Sequence, residues 1–381
     1  MTSGEGVWAE LVGQERAIST LRRAVAGGPH AMTHAWLFTG PPGSGRSNAA
    51  KAFAAALQCP RGGCGVCNEC RTSLSGAHPD VTLVRTEQLS IGVDEVRDLV
   101  RRASMSPMLK RWQIIVVEDA DRITERGADA LLKSIEEPAP RTVWLLCAPT
   151  ADDVVVTIRS RCRQVWLATP TNEAVAELLV RRDGVDPGLA AHAARIAQGH
   201  IGRARVLARS DKARIWRHDI LGLPARLTSM TACLDAAEYL VKVTSEEAAA
   251  ATADLDARER SELQAALGMG TKGVRARNTQ AAMKELEDNQ KARAKRLQRD
   301  ALDRALTELT TWYRDVLGAQ TGGLAPINAE QADELAKLAR RTTPEQTLRR
   351  IDAILEAREA LNTNVAPQLA MEALMVRLRP A

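Results

Sequence analysis

The stretch "HAWLFTGPPGSGRSNAAKAFA", residues 34–54, decides the fold. An apolar run of strand length, "AWLFTG", leads into a turn built of glycine and proline, and a helix opens at Arg46-Ser47. That order presents backbone N–H groups and the positive end of a helix to phosphate oxygens. The phosphate-loop pattern, Gly, four residues, Gly-Lys-Ser/Thr, is met at Gly40, Gly45 and Ser47 with Gly43 inside the turn, but Arg46 stands where the pattern has lysine. A compact ammonium fits between two phosphates; a wider, planar guanidinium cannot take the same position. Gly40, Gly43, Gly45, Arg46 and Ser47 therefore read as a degenerate nucleotide site.

Hydrolysis has a second requirement, an acidic pair at the end of an apolar strand, one carboxylate near Mg²⁺ and a Glu polarising the attacking water. "IIVVEDADRI" supplies Glu118 and then Asp119, the reverse of the usual Asp-Glu order. The shorter carboxylate then stands where water activation needs the longer one. Two departures in one site point to a chain that can bind ATP or ADP without turning it over.

Outward from the loop, "QERAISTLRRAVAGG" has helical spacing, while "VTLVR", "QIIVVED", "TVWLLCA" and "RQVWLA" are further strand-length apolar runs. Alternating helices and strands over residues 1–170 predict one α/β domain with a parallel sheet. Residues 171–210 read as a small helical domain and 211–381 as longer helices. Within the last lies a charged insertion near 245–300: "ARNTQAAMKELEDNQKARAKRLQRDALDRAL", which starts at 276, interleaves both signs of charge after a loop-like "GMGTKG", and reads as a solvated helix or mobile insertion in preference to a DNA-binding arm.

A length of 381 residues suits two or three domains, and 45% hydrophobic content is ample to fill them. No apolar run is long enough for a membrane span and no leader-like segment opens the chain, which predicts a soluble cytoplasmic protein with no membrane partner. Net charge is +5, and two Phe, two Tyr and seven Trp leave little for a base-stacking platform. If DNA is touched, phosphates are the target.

Four of the seven cysteines fall in "CPRGGCGVCNEC", so that Cys59, Cys64, Cys67 and Cys70 are separated by four, two and two residues. Four thiolates at such spacing satisfy tetrahedral Zn²⁺ with no open position, a structural site within a module at 58–72. An iron–sulfur cluster or four unrelated thiols are the competing readings. Cys147, Cys162 and Cys233 are isolated and read as core or near-surface thiols.

Several stretches together resemble the clamp-loader AAA+ subunits of bacterial DNA polymerase III: "ELVGQERAISTLRRAV", "HAWLFTGPPGSGRS", the cysteine cluster, "HPDV" at 78–81, "GADALLKSIEEPAPRTVWLLCAP", "SRC" at 160–162 and the closing "LNTNVAPQLAMEALMVRL". The resemblance implies a RecA-like AAA+ domain, a helical lid and an α-helical collar. The degenerate loop, the retained Ser-Arg-Cys element and "GHIGRAR" at 199–205, with Gly202 where motor subunits carry a sensor arginine, resemble the delta-prime branch. That branch implies a place in a ring with tau/gamma motor subunits and delta, which loads the sliding clamp on primed DNA. It also implies that Arg161 serves as an arginine finger in a neighbour's ATP site, with Arg159 and Arg163 as flanking controls of equal charge. A hydrolysing tau/gamma-like subunit is the alternative.

Overall fold

The computed structural model describes residues 6–86, 90–109, 111–267, 276–323, 325–363 and 365–380. They form two compact units, Met1–Arg209 and Ser210–Ala381. In the first, α1 (Glu15–Val25), β1 (Ala35–Thr39), α2 (Arg46–Gln58), α3 (Asn68–Ser75), β2 (Val81–Val84), α4 (Val93–Ala103), β3 (Gln113–Val117), α5 (Glu125–Glu136), β4 (Thr142–Ala148), α6 (Val156–Arg159) and β5 (Arg163–Trp166) follow in order. All five expected strands are present, in one parallel sheet of order β2-β3-β4-β1-β5.

Strands β1, β3 and β4 are buried from end to end, which is why they read as unbroken apolar runs instead of alternating ones. Alternate residues serve the two faces. Trp36, Phe38, Ile114, Val116 and Leu145 pack against α1 and α2, whereas Leu37, Ile115, Val117, Trp144 and Leu146 pack against α4 and α5. Phe53 of α2 meets Trp36 edge-on with ring centroids 5.0 Å apart.

Three short helices complete the unit: α7 (Asn172–Asp183), α8 (Pro187–Ala197) and α9 (Ile201–Arg209). Thr171 and Asp186 cap the first two by accepting from the N–H groups of Ala174 and Leu189.

The second unit is entirely helical among its described residues: α10 (Asp211–Leu221), α11 (Leu223–Arg226), α12 (Met230–Ala266), α13 (Ala276–Thr321), α14 (Ala332–Arg341), α15 (Pro344–Asn362) and α16 (Pro367–Leu378). The charged stretch expected to be solvated falls on the distal parts of α12 and α13; "GMGTKG" lies outside the described residues. Its mixed charges are used internally as well as for solvation. Arg293, almost fully buried, donates to Asp256 at 2.7 Å and to Glu259, and Gln290 donates to the Asp256 carbonyl at 3.0 Å. No helix among the described residues is long and apolar enough to cross a membrane.

Buried Arg217 of α10 organises the other end of this unit. Its Nε donates to Glu308 at 3.0 Å and its Nη1 to Glu330 at 3.0 Å, and its Nη2 donates to the Asn328 side chain. Removing one partner from a buried ion pair leaves an uncompensated charge. Arg217→Met should therefore lower unfolding free energy by about 3–5 kcal/mol, while Arg304→Ala, which breaks an exposed pair with Glu247, should cost less than about 1 kcal/mol. Denaturant unfolding of the two variants checks the contrast; equal losses would contradict it.

Candidate functional site

Because β1 lies between β4 and β5, its C-terminal end is held from both sides. Leu167 N–H donates to the Thr39 carbonyl at 2.7 Å and Gly40 N–H to the Pro149 carbonyl at 3.1 Å. Gly43 at φ 84° and Gly45 at φ 92° take the left-handed conformations that let the chain turn sharply into α2. Gln14 closes the other side, donating to the Ala168 carbonyl at 2.8 Å and accepting from Ala168 N–H at 3.0 Å. Beside it, residues Trp8, Val12, Ile18, Ala174, Leu178 and Arg181 line a cleft of about 560 Å³. The sequence reading missed that cleft, whose walls come from three distant segments.

The scaffold fits a phosphate group: a turn of positive-φ glycines opens a 13-residue helix whose first N–H groups face outward from its N-terminus. Its charged side chains are otherwise engaged. Arg46 folds back and donates to the Gly40 carbonyl. Lys51, one turn beyond Ser47 on α2, pairs with Glu118 at 2.5 Å, the Glu118 side chain being only 13% exposed. Glu118 and Asp119 follow β3 as expected, and Glu118, the first of the pair, is bound by an ammonium of the same chain. Position i+4 from Ser47 puts Lys51 on the same helix face, the signal that could have found it. Burial pushes the Asp121 carboxyl up, and Asp119 beside it acts in the same direction.

His200, the residue before α9, reaches this loop. A Cβ added to Gly43 would lie 2.2 Å from His200 Cγ and 2.6 Å from its Cα. His200 Nδ1 accepts from Arg203 N–H at 3.2 Å, which caps α9 and places the ring proton on Nε2. Burial holds this imidazole below the usual histidine range, with Arg203 and Arg46 adding to the effect. Gly202 has no side chain to offer, and the contact with the loop is made by His200.

Cys59, Cys64, Cys67 and Cys70 converge, their four Sγ atoms all within 4.8 Å of one another. The Cys59–Cys64 and Cys59–Cys67 separations are both 3.7 Å. Tetrahedral bonds of about 2.3 Å would set sulfurs about 3.8 Å apart, so the cluster can hold a metal ion. Backbone N–H groups of Arg61 and Cys64 donate to Cys59 Sγ and that of Gly65 to Cys70 Sγ, the outer contacts a thiolate site needs. N–H groups of Val66 and Cys67 hold the Cys64 thiol down at about 6. Cys147 and Cys233 are buried and Cys162 partly so.

"HPDV" proves structural. His78 Nδ1 accepts from Asp80 N–H at 3.0 Å, and the buried Asp80 carboxylate accepts from Met108 and Leu109 N–H at 2.7 and 2.8 Å.

Arg161 lies apart from these groups, exposed between α6 and β5. Its Nη1 donates to the Thr157 carbonyl at 2.8 Å, and its Nη2 pairs with Glu136, the last residue of α5, at 2.5 Å. The flanking arginines differ from it. Arg159 pairs with Asp152, and Arg163 donates to the carbonyls of His30 and Ala31 and lies 5.4 Å from the Trp36 ring centroid. Arg163 thus ties the segment before β1 to β5 and is no neutral control for Arg161.

Residues 13–171 match the family described as "DNA polymerase III, delta subunit", and residues 281–379 match "DNA polymerase III, delta subunit, C terminal". The chain belongs to the delta-prime family of DNA polymerase III clamp-loader subunits. DNA polymerase III subunit delta' of Pseudomonas aeruginosa is 37% identical over 161 residues, which are 41% of this chain and 49% of that protein. The delta' subunit of Bacillus subtilis is 30% identical over 184 residues, 48% of this chain and 55% of that one. Subunit gamma/tau of Mycobacterium tuberculosis is 35% identical over 186 residues, 47% of this chain and 32% of that one. The chain thus spans about half the length of the curated delta' relatives it matches and about a third of gamma/tau.

Gly43→Ala should displace His200 from the phosphate loop and cost roughly 1–3 kcal/mol from overpacking and positive-φ strain. The double variant Gly43→Ala/His200→Ala should recover part of that loss. Thermal unfolding decides: no recovery would mean that the loop's backbone strain alone, without the His200 contact, accounts for the effect.

Proposed function

We propose that this chain is the delta-prime-type subunit of a cytoplasmic polymerase III clamp loader. It joins tau/gamma motor subunits and delta in a ring that places the sliding clamp on primed DNA, and it hydrolyses no ATP itself. Nucleotide, where it binds, is held by the Gly40–Ser47 loop without turnover. Arg161 acts in trans as a finger on the neighbouring motor subunit's nucleotide.

The observation that carries this reading is the contrast between two arginines. Arg46 is turned inward onto its own loop, and beside it Lys51 engages Glu118, so the Glu118 carboxylate is already held within the chain. Arg161 stands at the surface with a permanently charged, planar set of donors. A finger in trans stabilises charge developing on the transferred phosphoryl group and is worth about 10³–10⁵ in rate. The similarity to gamma/tau keeps a hydrolysing subunit as the second reading.

Hydrolysis assays separate the two. The isolated chain should show negligible ATPase activity, and Arg46→Lys alone should not create it; turnover abolished by Ser47→Ala would establish the motor reading. In the reconstituted loader, Arg161→Ala should lower clamp- and DNA-stimulated hydrolysis by at least about 10³-fold per affected site without preventing assembly. Arg16→Ala, an exposed change on α1, should leave the rate within about twofold. Equal effects would instead indicate a general electrostatic contribution.

We also propose that the four cysteines hold one structural Zn²⁺. With all four positions filled by thiolates, the ion would tie the turn after α2 to the start of α3 and leave no open site for chemistry. Elemental analysis of protein purified without added metal should find about one equivalent, lost in Cys67→Ser. Metal-free protein with an intact fold would contradict the proposal.

A further inference from the structure

We infer that Glu136 is the positioning residue for the Arg161 finger, an inference that rests on the in-trans role proposed above. An exposed arginine loses its rotamer freedom when it must meet one phosphate in one geometry, and that loss subtracts from whatever it contributes to the transition state. Arg161 is already restrained. Nη2 pairs with Glu136 Oε1 at 2.5 Å, and Nη1 donates to the Thr157 carbonyl at 2.8 Å and to Ser160 Oγ at 3.3 Å. A guanidinium has five N–H donors, so these contacts leave donors for a phosphate oxygen. The pair is neither buried nor fully solvated: the side chains are 39% and 46% exposed, which leaves it accessible to a neighbour while still defining one orientation.

The place of Glu136 in the fold makes it more than an incidental surface partner. It is the last residue of α5, the helix that starts six residues after Asp119 with Thr124 capping it through Gly127 N–H at 3.2 Å. Leu131 and Ile135 of α5 are fully buried against the sheet, so the helix is fixed along its length. Glu136 therefore stands on a rigid element, whereas Arg161 stands on a short connection between α6 and β5. The carboxylate gives the loop arginine a fixed reference. Glu137 next to it carries the same charge and is likewise exposed, but it takes no part in the pair, so it serves as a control.

The experiment is a double-mutant cycle in the loader reconstituted from this chain with its motor and delta subunits. Glu136→Ala should lower stimulated kcat about five- to tenfold with KM for ATP unchanged, since the finger acts in the transition state and not in nucleotide binding. Glu136→Gln, which keeps an oxygen acceptor, should restore part of the rate, and Glu137→Ala should leave it unchanged. In the Arg161→Ala background, Glu136→Ala should have no further effect. An unchanged or raised kcat in Glu136→Ala beside a large loss in Arg161→Ala would overturn this inference and leave the finger standing. No loss in Arg161→Ala itself would overturn both. Additive losses in the double variant, or a KM rise, would show that Glu136 acts on assembly or folding.

Discussion

With β1 hydrogen-bonded on one side to β4, where Trp36 pairs with Leu145, and on the other to β5, where Leu37 pairs with Gln164, the end of β1 can go only one way. It must turn out of the sheet between the segments that follow β4 and β5, and the Gly40 and Thr39 hydrogen bonds to Pro149 and Leu167 fix that turn. Everything chemical in the first unit hangs from this placement. The phosphate loop, the acidic end of β3, buried Cys147 on β4 and the connection bearing Arg161 before β5 are all brought to one sheet by a single strand order. Parallel strands buried on both faces leave function to the loops at their ends.

At that end of the sheet, the charged groups are held by partners within the chain. In a motor, a lysine and a metal ion meet phosphate, and a carboxylate meets water. Here Arg46 meets the Gly40 carbonyl, Lys51 meets Glu118, and His200 packs on Gly43. Both cationic groups, Arg46 and Lys51, have found a partner within the chain. A site in this state contributes to rigidity, and the arginine that stays exposed is on another surface.

Much of this was legible in the sequence because it is local. The strands showed as apolar runs since both their faces are buried, the loop showed in its glycines, and the four cysteines showed in their spacing, all within twelve residues. What escaped was non-local. The Lys51–Glu118 pair joins α2 to the end of β3, Arg163 stacks over Trp36 from a different strand, and His200 enters from the helix pair after the sheet. In the second unit, the mixed charges of α12 and α13 read as solvation because only pairing across the two helices shows Arg293 between Asp256 and Glu259. Spacing along one helix carries no information about such partners. Arg161 was picked out by the resemblance of its flanking residues, and its holding by Glu136 is again a contact between distant segments.

The measurement that tests the central claim most directly is a structure of the assembled loader with a non-hydrolysable ATP analogue. The account predicts the Arg161 guanidinium within about 3 Å of the terminal phosphate bound by the adjacent subunit, with Lys51 still paired to Glu118 in this chain. Arg161 turned away from every nucleotide, together with Lys51 released and a metal-bound triphosphate in this chain's own loop, would contradict it.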